Sequence, residues 1–195
     1  FVQGNTVASG AGWEANCGNT AWVKAETGGF FDPESLPGDW RLPAREIAYV
    51  SRESVGGGVL FDFGRETMAR LSFSGCRGRS VTVCYGESRE EALDTAHCET
   101  LDDCAVSETG EARAPIEMGM RYAFVYPAGE GVQVRALEYI GDKPMAGAFT
   151  CSDPLIDKIY ETARFTYRIT EREFFFDGLK RDRWVWSGDV FQSEM

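Results

Sequence analysis

Between Ile47 and Ile140 apolar and polar positions alternate with a period of two in a series of short runs bounded by glycine. The runs are Val59-Leu-Phe-Asp-Phe63, Ala69-Arg-Leu-Ser-Phe73, Ser80-Val-Thr-Val-Cys-Tyr85, Tyr122-Ala-Phe-Val-Tyr126 and Val132-Gln-Val-Arg-Ala-Leu137. A period of two sends successive side chains to opposite faces of an extended backbone, so each run predicts a β-strand. Strands joined by turns, with no helical pattern between them, predict a mainly β, antiparallel sandwich of the jelly-roll kind. Gly56-Gly-Gly58 marks a turn or bulge and lacks the downstream helix and Lys of a phosphate-binding loop. Between about Gly86 and Pro115 the alternation lapses, and residues 87–94 with the acidic run 99–103 read as a solvated excursion from one edge.

At Phe149-Thr-Cys-Ser-Asp-Pro154 the period changes. Leu155, Ile156, Ile159, Tyr160, Ala163 and Tyr167 recur at three and four residues, which predicts an amphipathic helix. Either Ser152 or Asp153 caps it, and Pro154 sits in the first turn, where a missing N–H costs nothing. Its polar side carries Asp157, Lys158, Glu161, Arg164 and Arg168, with Glu161 in reach of a cationic partner. Its apolar side calls for partners that the rest of the chain mostly does not supply.

Residues 1–40 are rich in Gly, Asn and Thr and contain the turn-forming run Phe31-Asp-Pro-Glu-Ser-Leu-Pro-Gly-Asp39. They read as the tail of a preceding β-domain, with Trp13, Trp22 and Trp40 as local core plugs rather than a lectin platform. Leu42-Pro-Ala-Arg-Glu-Ile47 reads as an extended linker, because the residue before Pro43 is pushed out of the helical region. The expected division is therefore a tail and linker at 1–44, a β-sandwich at 45–147 and the start of a helical domain at 148–195.

Composition narrows the partners. A formal net charge of -11 and a pI near 4.6 leave no basic face for nucleic acid or an anionic membrane. No apolar run of about eighteen residues exists to span a bilayer. A neutral carbohydrate is compatible with this balance. Cys17, Cys76, Cys84, Cys98, Cys104 and Cys151 form no CxxC pair and are expected as free thiols. The only histidine, His97, stands beside Cys98 and near Cys104 at spacing too loose for a metal cluster, so a solvated loop is expected, with no metal or other cofactor. The sequence opens on Phe1-Val-Gln-Gly without an initiator Met or signal-peptide regions and stops at Met195 as a further helix begins, so a segment of a longer polypeptide is expected.

The densest chemistry lies in Phe174-Phe-Phe-Asp-Gly-Leu-Lys-Arg-Asp-Arg-Trp-Val-Trp-Ser-Gly-Asp189. The spacing of Asp177, Asp182 and Asp189 fits no single helix or strand face, and Gly178 and Gly188 break either, so the segment reads as a shaped loop. Carboxylates beside Lys180, Arg181 and Arg183 hold hydroxyls in both senses, and the indoles of Trp184 and Trp186 cover the apolar side of a ring, which is the chemistry of sugar recognition. A salt-bridge cluster over an aromatic anchor is the other reading of the same residues. Asp189, followed by Gln192, also fits an N-cap with Gln at N3.

The wording Asp-Gly-Leu-Lys-Arg-Asp-Arg-Trp-Val-Trp-Ser-Gly-Asp resembles the active-site signature of bacterial α-L-rhamnosidases, glycoside hydrolase family 78. The resemblance implies that Asp177 and Asp189 hold rhamnose hydroxyls, that Asp182 is the general acid, and that Arg181, Trp184 and Trp186 line the sugar pocket. Many members read Asp-Cys-Pro-x-Arg-Asp-Glu-Arg and use the Glu as acid; this chain is one residue shorter there, with Asp182 followed by Arg183. Less specifically, Val59-Leu-Phe-Asp-Phe-Gly64 and Tyr85-Gly-Glu87 look like the concanavalin-like β-domain that precedes the catalytic barrel in that family. The helix after Phe149 then corresponds to the first of a six-hairpin (α/α)6 barrel, here truncated.

Glycoside hydrolysis generally needs two carboxyl groups, one protonated toward the leaving group and one acting on the opposite face. The resembled enzymes are inverting and take their base from a Glu far downstream. The expectation is a parent that cleaves terminal α-L-rhamnosides and a 195-residue segment that does not. A non-catalytic carbohydrate-binding module and a different six-hairpin glycosidase are the competing readings.

Overall fold

The computed structural model describes residues 14–15, 23–24, 42–141, 147–172, 175–180, 183–186 and 188. The chain divides into two units, Phe1–Trp40 and Arg41–Met195. In the first, β1 (Glu14–Ala15) pairs antiparallel with β2 (Val23–Lys24). Trp13, Trp22, Trp40, Cys17 and the turn-forming run at 31–39 lie outside the described residues.

The second unit contains β3 (Ala44–Ile47), β4 (Ser51–Val55), β5 (Gly58–Ser74), β6 (Ser80–Gly86), α1 (Arg89–Leu93), β7 (Leu101–Ala105), β8 (Ala112–Arg113), β9 (Met118–Tyr126), β10 (Gln133–Tyr139) and α2 (Pro154–Thr170). Its strands form one antiparallel eight-stranded sheet in the order β3-β10-β5-β9-β6-β7, with β4 and β8 also paired to β5. The alternation sets the core. Val59, Phe61, Phe63, Leu71 and Phe73 of β5 meet Val81, Val83 and Tyr85 of β6 and Met120 and Val125 of β9 in one buried cluster, as in a β-sandwich. Each large side chain taken from water there contributes about 1.5–3 kcal/mol before entropy is charged.

Three expectations change. The runs at 59–63 and 69–73 belong to one strand, because Gly64 does not end it. Between the pairs Asp62↔Tyr122 and Thr67↔Met120, residues 63–66 of β5 stand opposite Arg121 alone, an enlarged bulge. Gly64 sits in it at φ +80°, a conformation a side chain would resist, and its N–H donates to Asp62 Oδ1 at 2.7 Å. Second, residues 44–47 are not linker but β3, paired with β10 from Ala44↔Tyr139 to Ile47↔Ala136. Pro43 just precedes the strand, where its missing N–H removes no ladder bond.

Third, the solvated excursion at 87–103 is ordered. Ser88 Oγ accepts from Glu91 N and caps α1, whose Ala92 packs with Leu60, Cys84 and Phe124 on the outer face of the sheet. The acidic run becomes the edge strand β7. Cys104 is its one buried residue, while Asp102 accepts from the Tyr85 hydroxyl at 2.7 Å and Asp103 from Thr82 Oγ1 at 2.6 Å. Burial, with Asp102 beside it, keeps the Tyr85 proton in place, so the phenol stays a donor. An edge strand needs little apolar surface, and these acids are matched by hydroxyls.

Asp153, not Ser152, caps α2: its Oδ1 accepts from Leu155 N at 2.9 Å. Glu161 pairs with Arg164 at 2.9 Å. Only the C-terminal half of α2 meets the sheet, where Ile169 and Phe165 pack with Met68, Ile140 and Leu179. A polar fastening runs alongside. Glu138 of β10, fully buried, accepts from Thr67 Oγ1 at 2.6 Å and pairs with Arg45 and Arg65, and the Arg65 guanidinium lies 4.1 Å from the Phe165 ring centroid. Cys76, Cys84, Cys98, Cys104 and Cys151 are free.

Candidate functional site

The chain leaving α2 folds back along it: Phe176 N donates to Thr170 O at 3.2 Å, and the Phe175 ring lies 5.1 Å from that of Tyr167. The connector that follows is closed on itself by Asp177. Its N–H donates to Trp184 O at 3.2 Å, its Oδ1 accepts from Trp184 N at 3.0 Å and its Oδ2 accepts from Trp186 Nε1 at 3.0 Å. The two indoles are thereby held 6.2 Å apart at 30°, and both remain more than half exposed. A carboxylate has about four lone-pair sites, so these two bonds leave Asp177 acceptor capacity toward solvent.

Leu179 anchors the connector to the sheet. It is buried against Gly119 of β9, where a Cβ would meet Leu179 Cβ at 2.7 Å and its carbonyl carbon at 2.9 Å. Arg183, at φ +48°, donates from Nε to Leu179 O at 3.0 Å. A non-glycine residue in that region is strained and needs such fixing. Lys180 forms an ion pair with Glu91 of α1, and that hydrogen bond raises the ammonium pKa above its ordinary value.

Of the residues singled out in the sequence, the structure brings Asp177, Trp184 and Trp186 into direct contact. Arg181, Asp182 and Asp189 lie outside the described residues, as does the cap pattern ending at Gln192.

Beside the connector is a cleft of about 540 Å³ between the β5 bulge and α2. Arg65, Glu66 and Glu87 line one side, Thr162, Phe165 and Thr166 of α2 the other, and Asp177, Gly178 and Leu179 one end. Glu66 has no counterpart in the sequence reading. Its Oε1 is shut off from solvent and has no hydrogen-bond partner among the described residues. Burial, reinforced by Glu87 and Glu91 and opposed by Lys180, pushes the carboxyl up to about 7. The available signal was Asp62-Phe-Gly-Arg-Glu66 itself: a glycine and two charges between two apolar strand runs fit a bulge as well as a break, and bulges re-aim side chains.

Comparison with solved structures gives the same fold in three rhamnosidases. The rhamnosidase from Klebsiella oxytoca with rhamnose bound is 23% identical, with a TM-score of 0.56, over 75% of this chain and 33% of that one. The α-L-rhamnosidase from Dictyoglumus thermophilum is 20% identical, with a TM-score of 0.62, over 80% of this chain and 20% of that one. The GH78 family rhamnosidase of Bacillus sp. GL1 is 20% identical, with a TM-score of 0.56, over 73% and 16% respectively. The chain thus spans a third or less of the length of these proteins, and at such identities the likeness is one of fold. No curated protein sequence matches it. The family described as alpha-rhamnosidase-like, bacteroidetes, N-terminal matches residues 1–126. With most of its length inside that match, the chain belongs to the α-rhamnosidase-like N-terminal family.

Proposed function

We propose that the protein carrying this chain is a glycoside hydrolase that removes terminal α-L-rhamnose by an inverting acid/base mechanism. The reading rests on one observation above all: Asp177, which lines the cleft, also holds a pair of exposed indoles, on a chain of a rhamnosidase-like family. Indole faces take the apolar side of a sugar ring, while the free lone pairs of Asp177 take its hydroxyls. In this reading Arg181 and Asp189 complete the sugar contacts and Asp182 protonates the leaving oxygen. A base roughly 6.5–9.5 Å away activates water on the opposite face. α2 is then the first helix of a six-hairpin barrel beginning near residue 148, after a concanavalin-like sandwich at 45–147.

Release of nitrophenol from an aryl α-L-rhamnoside tests the proposal. The intact protein turns over, the 195-residue chain does not, and Asp182→Asn in the intact protein lowers kcat by about 10²–10⁴ with little change in KM. An intact protein silent on rhamnosides but active on another glycoside moves it to a different glycosidase. A non-catalytic carbohydrate-binding module is the second reading, favoured by a family match that stops at residue 126, before α2 and the connector. Calorimetric sugar binding by residues 45–145 alone supports it.

A further inference from the structure

We propose that the sheet itself contributes to sugar binding: Glu66, presented by the β5 bulge, faces the threonine row of α2 across the cleft and contacts a neutral hydroxylated ring there. The inference rests on the carbohydrate reading above and adds to it a residue from outside the connector.

The threonines set what kind of ligand fits. Thr162, Thr166 and Thr170 recur every fourth residue along the cleft wall. Their hydroxyls donate to the carbonyls of Lys158, Thr162 and Thr166 at 2.8, 3.0 and 3.0 Å. With their protons spent on the helix, these oxygens offer only lone pairs, so whatever lies against them must donate. Phe165, Ile169 and Leu179 supply apolar surface in the same cleft. A row of acceptors beside an apolar patch suits a ring with hydroxyls at its edge and C–H groups on its face. The carboxylates Glu87, Glu161 and Asp177 outnumber the cations Arg65 and Lys158 that line the same cleft, which disfavours an anionic sugar. A volume of about 540 Å³ lies within the usual range for small-molecule sites.

Glu66 is what the cleft lacks a structural reason for. A buried carboxyl oxygen without a partner costs stability and returns none. Its raised pKa keeps part of it protonated near neutrality, so the group can donate to a ligand oxygen as well as accept. A purely structural carboxyl is expected to lower stability when removed; this one is expected to raise it.

The test separates the two. In the intact protein, Glu66→Leu raises KM for an aryl α-L-rhamnoside about tenfold or more, with kcat changed less, and Glu66→Gln restores most of the loss. In the 195-residue chain, Glu66→Leu raises Tm by ~2–6 °C. An unchanged KM, or a raised KM accompanied by a lowered Tm, overturns the assignment. If the intact protein cleaves no rhamnoside, the hydrolase reading fails by itself. Calorimetry with L-rhamnose and other neutral monosaccharides then decides: binding lost in Glu66→Leu sustains the site, and binding unaffected by Glu66→Leu, or no binding of any, removes it.

Discussion

In β5 the apolar row Val59, Phe61, Leu71 and Phe73 is at most 3% exposed, whereas in α2 the row Leu155, Ile156 and Ile159 is 45–62% exposed. Both rows obey the period of their element. The difference lies in partners: the strand row is answered by β6, β9 and β10 within the same hundred residues, while Leu155, Ile156 and Ile159 join no buried cluster among the described residues. Periodicity reports which side of an element wants cover, and only tertiary structure reports whether it has been found. It follows that the sheet carries the stability of this chain, and that α2 is held at one end, by Ile169, by Phe165 and by the Arg65 contact.

The largest test of that contrast is Leu71→Ala, expected to cost about 3–4 kcal/mol in urea unfolding of the 195-residue chain. A cost below about 1 kcal/mol would mean the core is not where stability resides. Next, Gly119→Ala forces a methyl group into Leu179, at a cost of about 1–3 kcal/mol. Amide exchange should accelerate across residues 175–186 while β6 and β9 keep their protection. Equal loosening of both would show that connector and sheet are one cooperative unit.

A smaller effect is set by pH. Glu66 holds its proton more tightly folded, at about 7, than unfolded, near 4.5. Its ionisation penalty is therefore absent below pH 4.5 and fully present above about 7, so stability falls across that window. The groups around it are Arg65, Glu87 and Glu91 on its own side, Lys158 and Glu161 across the cleft, and Asp177 and Lys180 from the connector. Because other carboxylates titrate too, the readout is the difference between wild type and Glu66→Gln. We expect it to grow by about 1–2 kcal/mol in favour of the variant from pH 4.5 to 7, after allowance for partial exposure. A difference flat in pH removes the penalty. The smallest effect is Ile159→Ala, within about 0.5 kcal/mol for this chain. A loss several times larger would reveal a partner for the helix.

Much of this was legible in the residues. The alternation at 80–85 and 122–126 placed β6 and part of β9, and Pro154 with Asp153 placed the start of α2. What escaped was what depends on distant chain. Gly64 looks like a strand end because local pattern cannot distinguish a break from a bulge, whose existence depends on Arg121 opposite. The 101–105 segment looks like a loop because an edge strand has one covered face and its acids are matched by Tyr85 and Thr82. In the connector, indole and carboxylate were adjacent enough to be read together, and Asp177, Trp184 and Trp186 do meet. Glu66 comes to the same cleft from about a hundred residues upstream, and no spacing rule connects them.

The acidic margin formed by β7 matters before the protein is finished. Synthesis reaches Tyr139, the last residue of the sheet, before any of α2 has been made. A ladder whose outer edge carries Asp102 and Asp103 is poorly suited to recruit strands from neighbouring nascent chains on the same messenger. The carboxylates that disguise β7 in the sequence thus leave that margin a poor template for strand exchange even before α2 exists.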